Sequence, residues 1–114
     1  ETLYSSDGLL LERHIRKATG EAQHLIYEYD SMNDLIHSTE IITLQKVERI
    51  ERYYSKGILK SKTQFIDELP IKSTRYNQDG TSIVTLFEEN RPYADVTYAL
   101  DGKRVLSIEY RKEQ

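Results

Sequence analysis

Tyr76-Asn77-Gln78-Asp79-Gly80 and Tyr98-Ala99-Leu100-Asp101-Gly102 decide how this chain is read. Both spell Y-x-x-D-G, and Tyr4-Ser5-Ser6-Asp7-Gly8 spells it a third time. Tyr53-Tyr54-Ser55-Lys56-Gly57 keeps the Tyr-to-Gly separation, and Tyr29-Asp30-Ser31-Met32-Asn33 keeps the Tyr with Asn in place of Gly. The tyrosines at 4, 29, 53, 76 and 98 are 25, 24, 23 and 22 residues apart, and the Gly or Asn positions follow in phase. Recurrence at such a period marks a repeat architecture. The turn chemistry names the unit. Asp-Gly between alternating apolar residues signals a β-hairpin, because a two-residue primed turn needs positive φ, which Gly adopts freely and Asn tolerates.

A second, looser connection separates the hairpins. It falls at Ala18-Thr19-Gly20-Glu21, near Gln45-Lys46, at Glu68-Leu69-Pro70 and at Asn90-Arg91-Pro92. Gly and Pro punctuate three of the four. The pattern therefore predicts ten strands: 2–6, 9–17, 23–30, 35–43, 47–55, 58–66, 71–78, 81–89, 93–100 and 103–111. Nine tyrosines and many Val, Ile and Thr residues suit these spans. Between Glu40 and Lys56 a helical stripe of Ile42, Val47, Ile50 and Tyr54 competes, but Thr39, Ile41, Ile42, Thr43 and Val47 are β-branched and favour strands. The fold class expected is all-β: an antiparallel meander of about ten strands built from five tandem hairpins. It forms a curled single sheet or half-barrel, with a small closed barrel as the alternative.

Composition bounds the rest. The chain has 114 residues, 16 Lys+Arg against 19 Asp+Glu, a net charge of -3 and no cysteine. Its mean hydropathy is -0.66. One domain, 1–114, is expected. About a quarter of the residues are Leu, Ile, Val or Phe, enough to fold but with a lean core. Disulfides, thiolate zinc sites and cysteine nucleophiles are excluded, and no apolar run could span a bilayer as a helix. The sequence opens on Glu1 rather than Met, so the compartment stays open. A leader removed ahead of it would place the chain outside the cell or at the cell envelope.

The stretch Arg52-Tyr53-Tyr54-Ser55-Lys56-Gly57-Ile58-Leu59-Lys60-Ser61 resembles a unit of the MORN-repeat-variant proteins, bacterial chains of tandem Y-Y-x-x-G-x-L-K-S units often labelled antitoxin-like. Tyr27-Glu28-Tyr29-Asp30-Ser31-Met32-Asn33-Asp34-Leu35-Ile36 is similar to a YD repeat of the Rhs type, Y-x-Y-D-x-x-G-R-L, whose long arrays form a β-shell around a toxic cargo. Both resemblances imply hairpin repeats. The first implies an antitoxin- or immunity-like role, binding and blocking a partner protein.

Candidate chemistry is sparse. His14, His24 and His37 form no i, i+2 or i, i+4 pair and occupy different places in the repeat, so they read as solvated and no metal site is expected. There is no Gly-rich phosphate loop, nucleophile elbow or H-E-x-x-H motif. Carboxylates such as Glu88, Glu89, Asp95 and Glu109 read as a solvated face. No catalytic residue, no cofactor and no enzyme activity is expected. The repeat tyrosines should stack between neighbouring hairpins as a packing ladder. Tyr53, Tyr54, Lys60 and Lys62 form the best candidate contact patch.

The expected function is non-enzymatic protein–protein interaction, through the sheet face or through an edge strand. The edges are 2–6 and 103–111, the latter protected by Lys103, Arg104, Glu109, Arg111 and Lys112. Homodimerisation by edge pairing is a second partner reading. A secreted or surface-attached structural module is the alternative function. Single-stranded nucleic-acid binding on a Tyr/Lys face is a further one, set against the acidic balance of the chain.

Overall fold

A computed structural model describes residues 1–111; Lys112, one of the charges assigned to the last edge, lies outside the described residues. Among the described residues ten strands form and no helix does: β1 (Thr2–Tyr4), β2 (Leu10–Arg16), β3 (Ala22–Tyr29), β4 (Leu35–Thr43), β5 (Val47–Ser55), β6 (Ile58–Ile66), β7 (Leu69–Tyr76), β8 (Ser82–Glu88), β9 (Arg91–Tyr98) and β10 (Val105–Tyr110). Each pairs antiparallel with the next, in one sheet whose order is the chain order. β1 and β10 do not pair, so the sheet is open and not a barrel. The segment from Glu40 to Lys56 lies in β4, β5 and the turns at their ends, as its β-branched residues require.

The turns depart from the expected chemistry in a regular way. At Gly8, Gly80 and Asn33 the loop has three residues, not two. Gly8 donates to Ser5 O at 3.0 Å while Ser5 donates to Leu9 O at 2.8 Å, and the same pair of bonds closes Asp30–Asp34 and Asn77–Thr81. This is the three-residue hairpin in which one left-handed residue follows a tight turn. Gly20 closes Lys17–Glu21 identically, so a connection read as looser belongs to the same class. Two-residue turns with positive φ at both central residues lie at Lys56-Gly57 (φ 53 and 76), where the pattern places one, and also at Asp67-Glu68 (49 and 71) and Glu89-Asn90 (51 and 66). The latter two explain why β7 and β9 start earlier than expected. Pro70 and Pro92 sit second in those strands, opposite Phe65 and Phe87, and the register shifts at both places. A proline has no N–H for the ladder, and a bulge absorbs that loss.

The sheet is thin and curled. Its radius of gyration is 16.4 Å, against about 13 Å for a compact domain near this length. A flat single layer would be about 10 Å thick, whereas the smallest of the extents 47 × 36 × 28 Å is far larger. Register defines the two faces. One row runs Tyr27, Ser38, Arg52, Lys62, Thr74, Val84, Val96, Ile108 from β3 to β10. Ser38, Thr74, Val84 and Val96 of that row are buried, as are Ser82 and Ala94 on the same face. This is the inner face. The buried side chains are small, so the core is as lean as the composition implies.

Candidate functional site

The outer face is a polar ladder. Its central row is Glu28, His37, Tyr53, Ser61 and Arg75, one residue from each of β3 to β7. His37 Nδ1 lies 2.9 Å from Glu28 Oε1 and its Nε2 lies 3.0 Å from Glu51 Oε1. Glu51 also holds Arg49, which reaches Glu68 at 3.4 Å and covers the Phe65 ring at 3.9 Å. Acids and bases thus alternate over β3, β4, β5 and the β6–β7 turn. Towards β10, Asp95 accepts hydrogen bonds from Thr85 at 2.6 Å and from Arg111 at 3.0 Å. Those bonds hold its carboxyl below the usual aspartate range, Arg111 first and Thr85 second.

The sequence patch is divided. Tyr53 stands opposite Ser61, and Arg52 opposite Lys62, so Tyr53 projects from the outer face and Lys62 from the inner. Tyr53 is 47% exposed and stacks on His37, with ring centroids 4.7 Å apart. Tyr54, Lys60 and Lys62 are half-buried. The expected tyrosine ladder also changes. Tyr76 and Tyr98 both face Ser82 on the inner side, and Tyr29 donates to Leu10 O at 2.8 Å. Burial there pushes the Tyr29 phenol up. Because the Gly57 loop has two residues where the Gly8, Asn33 and Gly80 loops have three, Tyr54 takes the half-buried place and Tyr53 is turned outward. Among the described residues no two repeat tyrosines stack.

Two features escaped the sequence reading. One is the histidine pair. His14 stands directly opposite His24, and their rings stack with centroids 3.8 Å apart. Glu12 accepts from His24 at 2.6 Å and lies 3.6 Å from His14 Nε2. The signal was present: a three-residue loop between Lys17 and Glu21 forces 14 to face 24. The other feature is the bareness of the last edge. Lys103 and Arg104 lie in the turn before β10, not on it, and Arg111 is tied to Asp95. The strand itself exposes Val105 (45%), Leu106 (52%), Ile108 (50%) and Tyr110 (75%), and among the described residues Glu109 is the one charge of the expected set that lies on it.

Among the described residues no helix is long and apolar enough to cross a membrane. No family model matches the sequence, and no curated protein matches it. The fold is similar to part of TarM from S. aureus. A point mutant in complex with fondaparinux, alpha-GlcNAc-glycerol and UDP superposes with a TM-score of 0.57 at 15% identity over 87% of this chain. A second TarM structure gives 0.54 at 15% identity over 85%. The chain spans only 19% of the length of the TarM chains it matches.

Proposed function

We propose that the chain is a non-enzymatic protein-interaction module that engages its partner through the β10 end of the sheet, and that a second copy is the first such partner. The observation that carries this reading is the row Leu106, Ile108 and Tyr110, three exposed apolar side chains alternating along a strand with no partner on its outer side among the described residues. Apolar groups on an open edge gain from packing, and the free main-chain groups gain from strand addition. Ile108 lies next to buried Val96, and Tyr110 next to buried Ala94, so a partner would extend an apolar surface that already exists. The fold likeness to one fifth of TarM supports a module within a larger chain. The resemblance of Arg52–Ser61 to MORN-repeat-variant units supports binding and blocking of a partner. A nucleic-acid platform draws less support, since the Tyr53 ring and Lys62 leave the sheet on opposite faces.

Sedimentation equilibrium over a concentration series tests the proposal. The expected result is concentration-dependent association that Ile108→Lys abolishes while the far-ultraviolet β signal persists. A 13.4 kDa monomer at every concentration would reject a second copy as the partner.

A further inference from the structure

We propose that Glu12, His14 and His24 form a binding site for a divalent transition-metal cation of the zinc class. The site lies on the outer face at the other end of the sheet and is independent of the β10 reading. One donor atom from each of the three residues falls within 4.8 Å of the other two. Two imidazoles and one carboxylate are a donor set that suits zinc, nickel, copper or cobalt, and a three-ligand set leaves a position open to solvent. With metal–ligand bonds of about 2.0–2.1 Å, tetrahedral donors stand about 3.3 Å apart. The Glu12–His14 separation of 3.6 Å is already close to this, and the Glu12–His24 separation of 2.6 Å needs to open slightly. The rings stack 22° from parallel and both Nε2 atoms approach the same Glu12 oxygen, so the three donors lie on one side of the pair.

The backbone supplies the precision. His14 and His24 are cross-strand partners, and Glu12 sits two residues before His14 on the same face, opposite Ile26. Holding donors on paired strands reduces the ordering cost of binding. The site is reachable, since the three side chains are 34%, 51% and 29% exposed in chain order. It borders a shallow cavity of about 390 Å³ that the two histidines line with Glu1, Arg16 and Thr43, among others. Arg16 opposes a cation there. So does the terminal ammonium, which donates to His14 O at 3.0 Å, and the carboxylates of Glu1 and Glu12 balance the two.

The test is calorimetric titration of the full chain with zinc chloride, together with visible absorption on addition of cobalt(II). The expected result is one saturable ion per chain, with the intense bands of tetrahedral cobalt. His24→Asn and Glu12→Gln should each weaken binding at least roughly tenfold, since even outer-shell partners carry 10–100-fold. His37→Gln, the third histidine, should leave binding unchanged. Saturating zinc should raise the melting temperature of the parent and of His37→Gln but not of His24→Asn. This second readout holds even where a variant is less stable. Absence of saturable binding would overturn the proposal, and so would equal weakening by His37→Gln, which marks scattered surface association.

Discussion

The two ends of this sheet are held by different chemistry. Across β2 to β5 the cross-strand partners are ionic or imidazole groups: His14 with His24, Glu40 with Arg52 and Gln23, and Glu28 and Glu51 around His37. Across β7 to β9 the inner face buries Thr74, Ser82, Val84, Ala94 and Val96. A single-layer sheet has no opposing layer to receive large apolar groups. One end therefore relies on cross-strand pairs, each worth about 0.2–1 kcal/mol. The other bends around small side chains and gains from apolar burial of about 25 cal/mol per Å². The difference locates function as well as stability. Polar pairing leaves titratable donors on the surface near β2, and apolar packing leaves an unfinished apolar margin at β10.

The largest effect should come from breaking the apolar end. Val96 is 6% exposed between Val84 and Ile108, and Val96→Asp places an unpaired charge there. The expected loss is about 3 kcal/mol or more by urea unfolding. His37→Ala, which removes a group contacting two carboxylates at the polar end, should cost only about 1 kcal/mol. Equal losses would mean that the two ends are not stabilised differently.

The turns come next. A Cβ built on Gly57 meets nothing within 4 Å, while its φ is 76°. Gly57→Val therefore reports on backbone strain alone, and should cost about 1–2 kcal/mol. Glu68 adopts a φ of 71° with a full side chain. Glu68→Gly relieves that strain but loosens the unfolded chain, so it should raise the unfolding free energy by less than about 1 kcal/mol, read from urea unfolding. A destabilising Glu68→Gly would show that its pairing with Arg49 outweighs the strain.

Much of this architecture was legible because hairpin repetition is written in local chemistry. Alternation and turn residues placed every strand, and six of the ten expected spans coincide with the observed strands to within one residue at each end. Loop length was harder to read, because Asp-Gly serves a two-residue and a three-residue turn alike. That one-residue ambiguity has large consequences, since a shift of one flips a side chain to the other face. It hid the His14–His24 pair, which exists only in the register that the Gly20 loop sets. At Lys56-Gly57 the turn has the expected two residues, and the patch divides because Tyr53 and Tyr54, adjacent on one strand, leave it on opposite faces.

The finest comparison is between acids at the same end. Asp95 is held low by side-chain bonds from Arg111 and Thr85, whereas Asp79 and Asp101 are held low by bonds from Thr81 and from the Lys103 and Arg104 amides inside their own turns. A carboxyl whose folded pKa is depressed stabilises the fold above its unfolded value, near about 3.9, and loses that contribution as pH falls through the folded value. The urea midpoints of the parent and of Asp95→Asn should therefore differ by a constant amount above about pH 5 and converge as the pH drops below about 4. Asp79 and Asp101 titrate in both proteins, so they cancel in the difference. A gap that stays constant down to the acid limit would mean that it does not arise from the Asp95 charge. In that case the tie to Arg111 would contribute nothing to holding β10 on β9.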